Sequence, residues 1–170
     1  MFALKTTTSS ASNSAASKAA LYAELLEQAH GLLAGERDFT ANAANFAALL
    51  FNGLPGLNWA GFYWLKAGEL VLGPFQGKPA CVRIALGRGV CGTAAATRET
   101  QVVPDVHAFP GHIACDAASR SEVVVPLVAS AGLVGVLDLD SPHPGHFDDV
   151  DARGLEALAA AFLAATDLEG

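Results

Sequence analysis

The chain has 170 residues, a length suited to one domain of about 100–200 residues with a core that needs neither metal nor disulfide staples. Hydrophobic residues make up 52% and charged residues 16%, which excludes a disordered, fibrous or low-complexity chain. Seventeen acidic against ten basic side chains give a formal charge of −7 with no basic stripe, so nucleic acid and anionic membrane surfaces are excluded as expected partners.

Mean hydropathy is high, at +0.35. No uncharged apolar run reaches the ~18–20 residues of a membrane span. Residues 1–16 read as a flexible tail without the apolar core of a secretory signal. The expectation is a cytoplasmic protein with one domain over residues 17–168. Its three cysteines are an odd count, which points to thiol, metal or redox chemistry rather than a disulfide framework.

The first helix is predicted from Ser17, with Leu21, Leu25, Leu26, Ala29, Leu32 and Leu33 at three- and four-residue spacing and Gly35 ending it. Ser17 or Asn13 is the expected cap. A second helix follows from Asp38, with Phe39, Ala43, Phe46, Leu49 and Leu50 on one face and Gly53 and Pro55 as its stop. The period then changes to that of a hairpin, with strands Asn58 to Leu65 and Glu69 to Phe75 around a turn at Lys66 to Gly68. CVRIAL is a short strand, Val90 to Arg98 a short helix, and Val102–Val103 a strand fragment. The surrounding segment, from Thr100 to Ser121, otherwise lacks periodicity, as functional loops do. Glu122 to Ala129 and Leu133 to Asp140 form the clearest strand pair. A last helix is expected from Asp148 to Ala165, capped by Asp148. The order predicts an α+β domain, a central antiparallel sheet with N-terminal and C-terminal helices packed on it.

None of Cys81, Cys91 and Cys115 forms a CxxC pair, so thioredoxin-type and paired-cysteine zinc motifs fail. Cys91 falls in the first turn of the short helix, where the dipole favours a thiolate, and Cys115 lies in the aperiodic loop. Asp138 and Asp140 are two apart in a strand and share a face. With a three-residue turn at Ser130–Gly132, Glu122 faces Asp140 and Val124 faces Asp138, so three carboxylates gather at one end of the hairpin. A two-residue turn would send Glu122 to the other face, which is the wholly apolar one of Val123, Val125, Leu127, Leu137 and Leu139. Crowded carboxylates raise the pKa of at least one member, which can then donate a proton, while an ionised one holds an ammonium. Frayed solvated acids and a calcium or magnesium site are the competing readings.

His107, His112 and Cys115 lie within nine residues, but in none of the usual zinc spacings, and His30 reads as a polar helix position. No metal or cofactor is expected. The aromatics of NWAGFYWL fit core packing or an apolar pocket wall. GRGVCG lacks the spacing of a phosphate loop, which excludes nucleotide chemistry on that motif.

Taken together, NWAGFYWL, LGPFQGKPACVRIALGRGVCGTAA, VVPDVHAFPGHIACD, SRSEVVVPL and GVLDLDSP span about residues 20–165. In these strings the chain resembles the free methionine-(R)-sulfoxide reductases, which are built on a single GAF domain. The resemblance implies reduction of the R epimer of free methionine sulfoxide. It implies that Cys115 attacks the sulfur and becomes a sulfenic acid, and that Cys81 or Cys91 condenses with it to a disulfide recycled by thioredoxin. Glu122, Asp138 and Asp140 match the family's acidic cluster, and Trp59 and Tyr63 its aromatic pocket positions. A homodimer is implied as well. The alternatives are a non-catalytic GAF module binding a small ligand, and a thiol redox sensor.

Overall fold

A computed structural model describes residues 14–113 and 116–168. The elements run α1 (Ala15–Leu33), α2 (Phe39–Gly53), β1 (Trp59–Lys66), β2 (Glu69–Gly77), β3 (Arg83–Ala85), α3 (Gly89–Thr97), β4 (Gln101–Val103), a 3₁₀ turn at Val106–Ala108, β5 (Ser121–Ala129), β6 (Gly132–Ser141) and α4 (Asp149–Ala165). The strands form one antiparallel sheet in the order β3-β2-β1-β6-β5-β4. This is the α+β architecture that the sequence predicts. No helix among the described residues is long and apolar enough to cross a membrane.

Alternation splits the sheet into two faces with separate cores. On one face Ala60, Phe62 and Trp64 of β1, Val123, Val125 and Leu127 of β5, and Leu137 and Leu139 of β6 pack with α1, α2 and α4. Phe46, Phe62 and Phe162 meet there with ring centroids 4.9–6.0 Å apart. The five aliphatic residues expected on the apolar side of the β5–β6 hairpin are all buried in this layer. The other face carries Trp59, Tyr63, Val124 and Val136, covered by α3 and the connecting loops.

Helix ends refine the reading. α1 starts two residues before Ser17 and is capped by Ser14, whose side chain accepts from the Ser17 N–H, so neither Ser17 nor Asn13 is the cap. α1 thus begins within the stretch 1–16 expected as a tail, and residues 1–13 lie outside the described residues. Asp38 caps α2 as expected. Asp148 caps α4 through a reciprocal pair with Asp151, and the buried Asp151 also accepts from Tyr22 and Lys18, fastening α1 to the start of α4.

The β5–β6 register comes out as expected, for a different reason. Ala129 pairs with Gly132, so the turn has two residues, Ser130 and Ala131, and not three. Opposite Leu127 and Val128 the register shifts: β6 carries Val134 unpaired, and this bulge supplies the missing residue. Beyond it Val124 faces Asp138 and Glu122 faces Asp140. The carboxylates therefore stay together on the α3 side.

Candidate active site

Across the sheet, Trp59 of β1 pairs with Asp140 of β6, and Asp140 pairs with Glu122 of β5. Asp138 sits one step along β6, opposite Gly61. A side chain at Gly61 would collide with Phe75 and the Trp59 ring, so glycine here lets both aromatics lie close to the sheet. Trp59 stacks on Phe75 and on Tyr63, with centroids 5.3 and 5.9 Å apart. α3 lies above the carboxylates and brings Cys91 down onto them. Its first residue, Gly89, has φ +60°, which suits glycine, and no side chain caps its N-terminus.

These elements border a cleft, part of it open to solvent, lined by Trp59, Tyr63, Cys91, Glu122, Asp138 and Asp140. Arg88, Gly89 and Val90 at the start of α3 also line it, as do His112, Asp116 and Ser119 of the loop before β5. Five of the expected site residues thus meet in one cleft with Cys91. Cys81 borders them, because Trp59 Nε1 donates to the Lys78 carbonyl and Tyr63 Oη to the Cys81 carbonyl, at 3.2 and 3.0 Å, pinning the β2–β3 connection. Cys81 is disulfide-bonded and Cys91 is a free thiol. Cys115 lies outside the described residues.

The electrostatics follow from burial. Glu122 and Asp138 are 7% and 6% exposed. Burial first, then the Asp138 and Asp140 charges, push Glu122 well above the ordinary carboxylate range. Burial raises Asp138 to about 7, although hydrogen bonds with Cys91 and Glu122 work against the rise. Asp140 is raised by burial and by Asp138, with a Ser119 hydrogen bond opposing. Glu122 and Asp138 are therefore buried and Asp140 half-buried, with all three raised, unlike a set of frayed, solvated acids. At Cys91 the thiolate that its place in the first turn of α3 favours is not what the fold supplies: the residue is 4% exposed, and burial, Asp138 and Glu122 push its thiol up, outweighing the helix dipole. Its Sγ donates toward Glu122 Oε1 across 3.8 Å.

Sequence reasoning missed the supports of this cluster. Asn58 Nδ2 donates to Asp116 Oδ2 and Ser119 Oγ, at 3.2 and 3.0 Å, tying the segment after residue 115 to the start of β1. These residues come together only through the fold, 58 and 61 positions apart, and no local pattern marks them. His107 and His112, whose spacing matches none of the usual zinc frameworks, sit edge to face 6.2 Å apart. Among the described residues, Cys91, Glu122 and Asp138 gather donor atoms closely enough to hold a metal ion.

A family model for the GAF domain matches residues 46–166. The free methionine-R-sulfoxide reductase of Escherichia coli is 55% identical, with 88% of this chain and 93% of that protein covered. The chain belongs to the free methionine-R-sulfoxide reductase family. The family's yeast member, from Saccharomyces cerevisiae, is 48% identical over 80% of this chain and 82% of its own length. The Neisseria meningitidis member, solved in complex with its substrate, superposes with TM-score 0.88 at 49% identity, covering 97% of this chain and 95% of that one. The family fold thus agrees with the α+β sheet described above, and the GAF expectation holds.

Proposed function

We propose that this chain reduces free L-methionine (R)-S-oxide to L-methionine, with Cys115 as the nucleophile. The observation that carries the reading is the buried Glu122–Asp138–Asp140 cluster facing an aromatic wall, in a chain of this family. A sulfoxide sulfur accepts a nucleophile once its oxygen is protonated, and a carboxyl of raised pKa is the donor that this step needs. The Glu122–Asp138 pair supplies the proton. The Cys115 thiolate attacks the sulfur, the S–O bond breaks, and the oxygen passes to Cys115 as a sulfenic acid while methionine leaves. Asp140, at the more open end of the row, holds the ammonium. The uncapped start of α3 receives the substrate carboxylate. Trp59 and Tyr63 wall the thioether. Selectivity for the free amino acid follows, because a peptide-bound residue has neither terminal charge.

The sulfenic acid then condenses with a second thiol, losing water to form a disulfide. Cys81 fits that role better than Cys91, because Cys81 is disulfide-bonded while Cys91 is free, buried and held protonated. A dithiol reductant of the thioredoxin class returns two electrons and two protons. Such a cycle suits the reducing cytoplasm, and the reading includes a homodimer.

The test is methionine release from racemic free methionine sulfoxide with dithiothreitol. Consumption should stop at half, with only the R epimer gone. No methionine from folded, reduced protein would overturn the reading. Asn58→Ala probes the supports. It removes both bonds to the loop, and should cost about 1–3 kcal/mol of stability and roughly tenfold or more in kcat. Unchanged melting and turnover would show that the clamp is idle.

A further inference from the structure

We propose that Cys91, Glu122 and Asp138 form a site for a borderline-soft divalent cation of the zinc class, whose occupancy closes the cleft to substrate. One donor atom from each of the three residues lies within 4.8 Å of the other two. Cys91 Sγ and Glu122 Oε1 are 3.8 Å apart. Tetrahedral zinc with a thiolate and a carboxylate ligand sets that separation at about 3.5 Å, from bond lengths of roughly 2.3 and 2.0 Å. All three side chains are buried, so the donors are already gathered and largely desolvated.

A further observation at one atom of Asp138 points to a ligand. Asp138 Oδ1 is buried without a hydrogen-bond partner, on a residue that lines the cleft. An orphaned buried carboxylate oxygen is costly unless something positive visits it. The donor set chooses the visitor. Calcium and magnesium take oxygen ligands, whereas one sulfur and two oxygens suit zinc, cobalt(II) or cadmium. Three protein ligands leave a fourth position for a water or a ligand atom, and all three residues line the cleft. On binding, the Cys91 S–H bond breaks, the thiol and the shared carboxyl protons go to solvent, and no electrons move. The cation then occupies the carboxylates that the proposed reaction needs, so the inhibitory consequence rests on that reading while binding itself does not.

Oxidised protein, with Cys81 held in its disulfide, is titrated with cobalt(II) as the probe. A thiolate-to-cobalt charge-transfer band should grow to one equivalent, vanish in Cys91→Ser, and need about tenfold or more cobalt in Asp138→Asn. The unsubstituted protein decides even if the variants misfold: ligand-field bands without a thiolate band overturn the site, and so does a band that survives in folded Cys91→Ser. L-methionine should displace the cobalt. A full thiolate band that methionine leaves untouched supports the metal site and counts against the proposed substrate placement, so the two readings fail separately.

Discussion

Cys115→Ser is expected to yield no methionine, even in a single turnover with excess enzyme. Cys81→Ser, by contrast, should release one methionine per chain and then stall unless dithiothreitol reduces the sulfenic acid directly. The contrast rests on what the other thiols can do. Cys91 lies against the carboxylates, yet it is a poor substitute nucleophile: burial and the neighbouring acids push its thiol up, and the thiolate is the reactive form. A serine hydroxyl at position 115 cannot accept oxygen as a sulfenic acid. The first-turnover yield, read by rapid quench and amino-acid analysis, separates the roles. A full burst from Cys115→Ser would move the nucleophile elsewhere, and a full burst with normal recycling in Cys81→Ser would move the resolving thiol to Cys91.

Much of this site can be read in the sequence, because it is built on strands. The period of two puts Asp138 and Asp140 on one face, and pairing brings Glu122 beside them. The turn length could not be read: Ser130–Ala131–Gly132 fits either a two- or a three-residue turn. The bulge that compensates leaves Val134 of β6 unpaired, and the mark beside it is Gly135, a glycine inside a strand, which signals a bulge without fixing the turn length. The opposed apolar face resolves the ambiguity physically. A slip of one residue would bury Glu122 among Val123, Val125 and Leu127 partners, so burial selects the register. Cys91 illustrates the opposite limit. Its place in the first turn of α3 was legible, but its environment depends on how α3 docks on β5 and β6. Docking places two carboxylates against the thiol, and local dipole reasoning then gives the wrong sign. Asn58, Asp116 and Ser119 were invisible for a related reason, since their bonds join distant segments of the chain.

Asp138→Asn is expected to lose about 10²–10⁴-fold in kcat while making the protein more stable at pH 7. The loss follows from breaking the Glu122–Asp138 proton pair. The gain follows from linkage. Burial raises the folded-state pKa of Asp138 from the usual 3.8 to about 7. Between those values the folded state binds a proton that the unfolded chain has released, so stability falls as pH rises. A shift of this size corresponds to about 4 kcal/mol at neutral pH, taken as an upper figure because the substituted amide forfeits a hydrogen bond with Cys91 or Glu122. Below the unfolded pKa both states are protonated and the penalty is absent. Thermal melts of parent and Asp138→Asn from pH 4 to 8 therefore test the sign directly. The variant's advantage should be small at pH 4 and widen steadily towards pH 7. A variant that is less stable at every pH, by a constant amount, would mean that Asp138 is a structural hydrogen-bonding residue, and that the cluster does not store the proton the reaction needs.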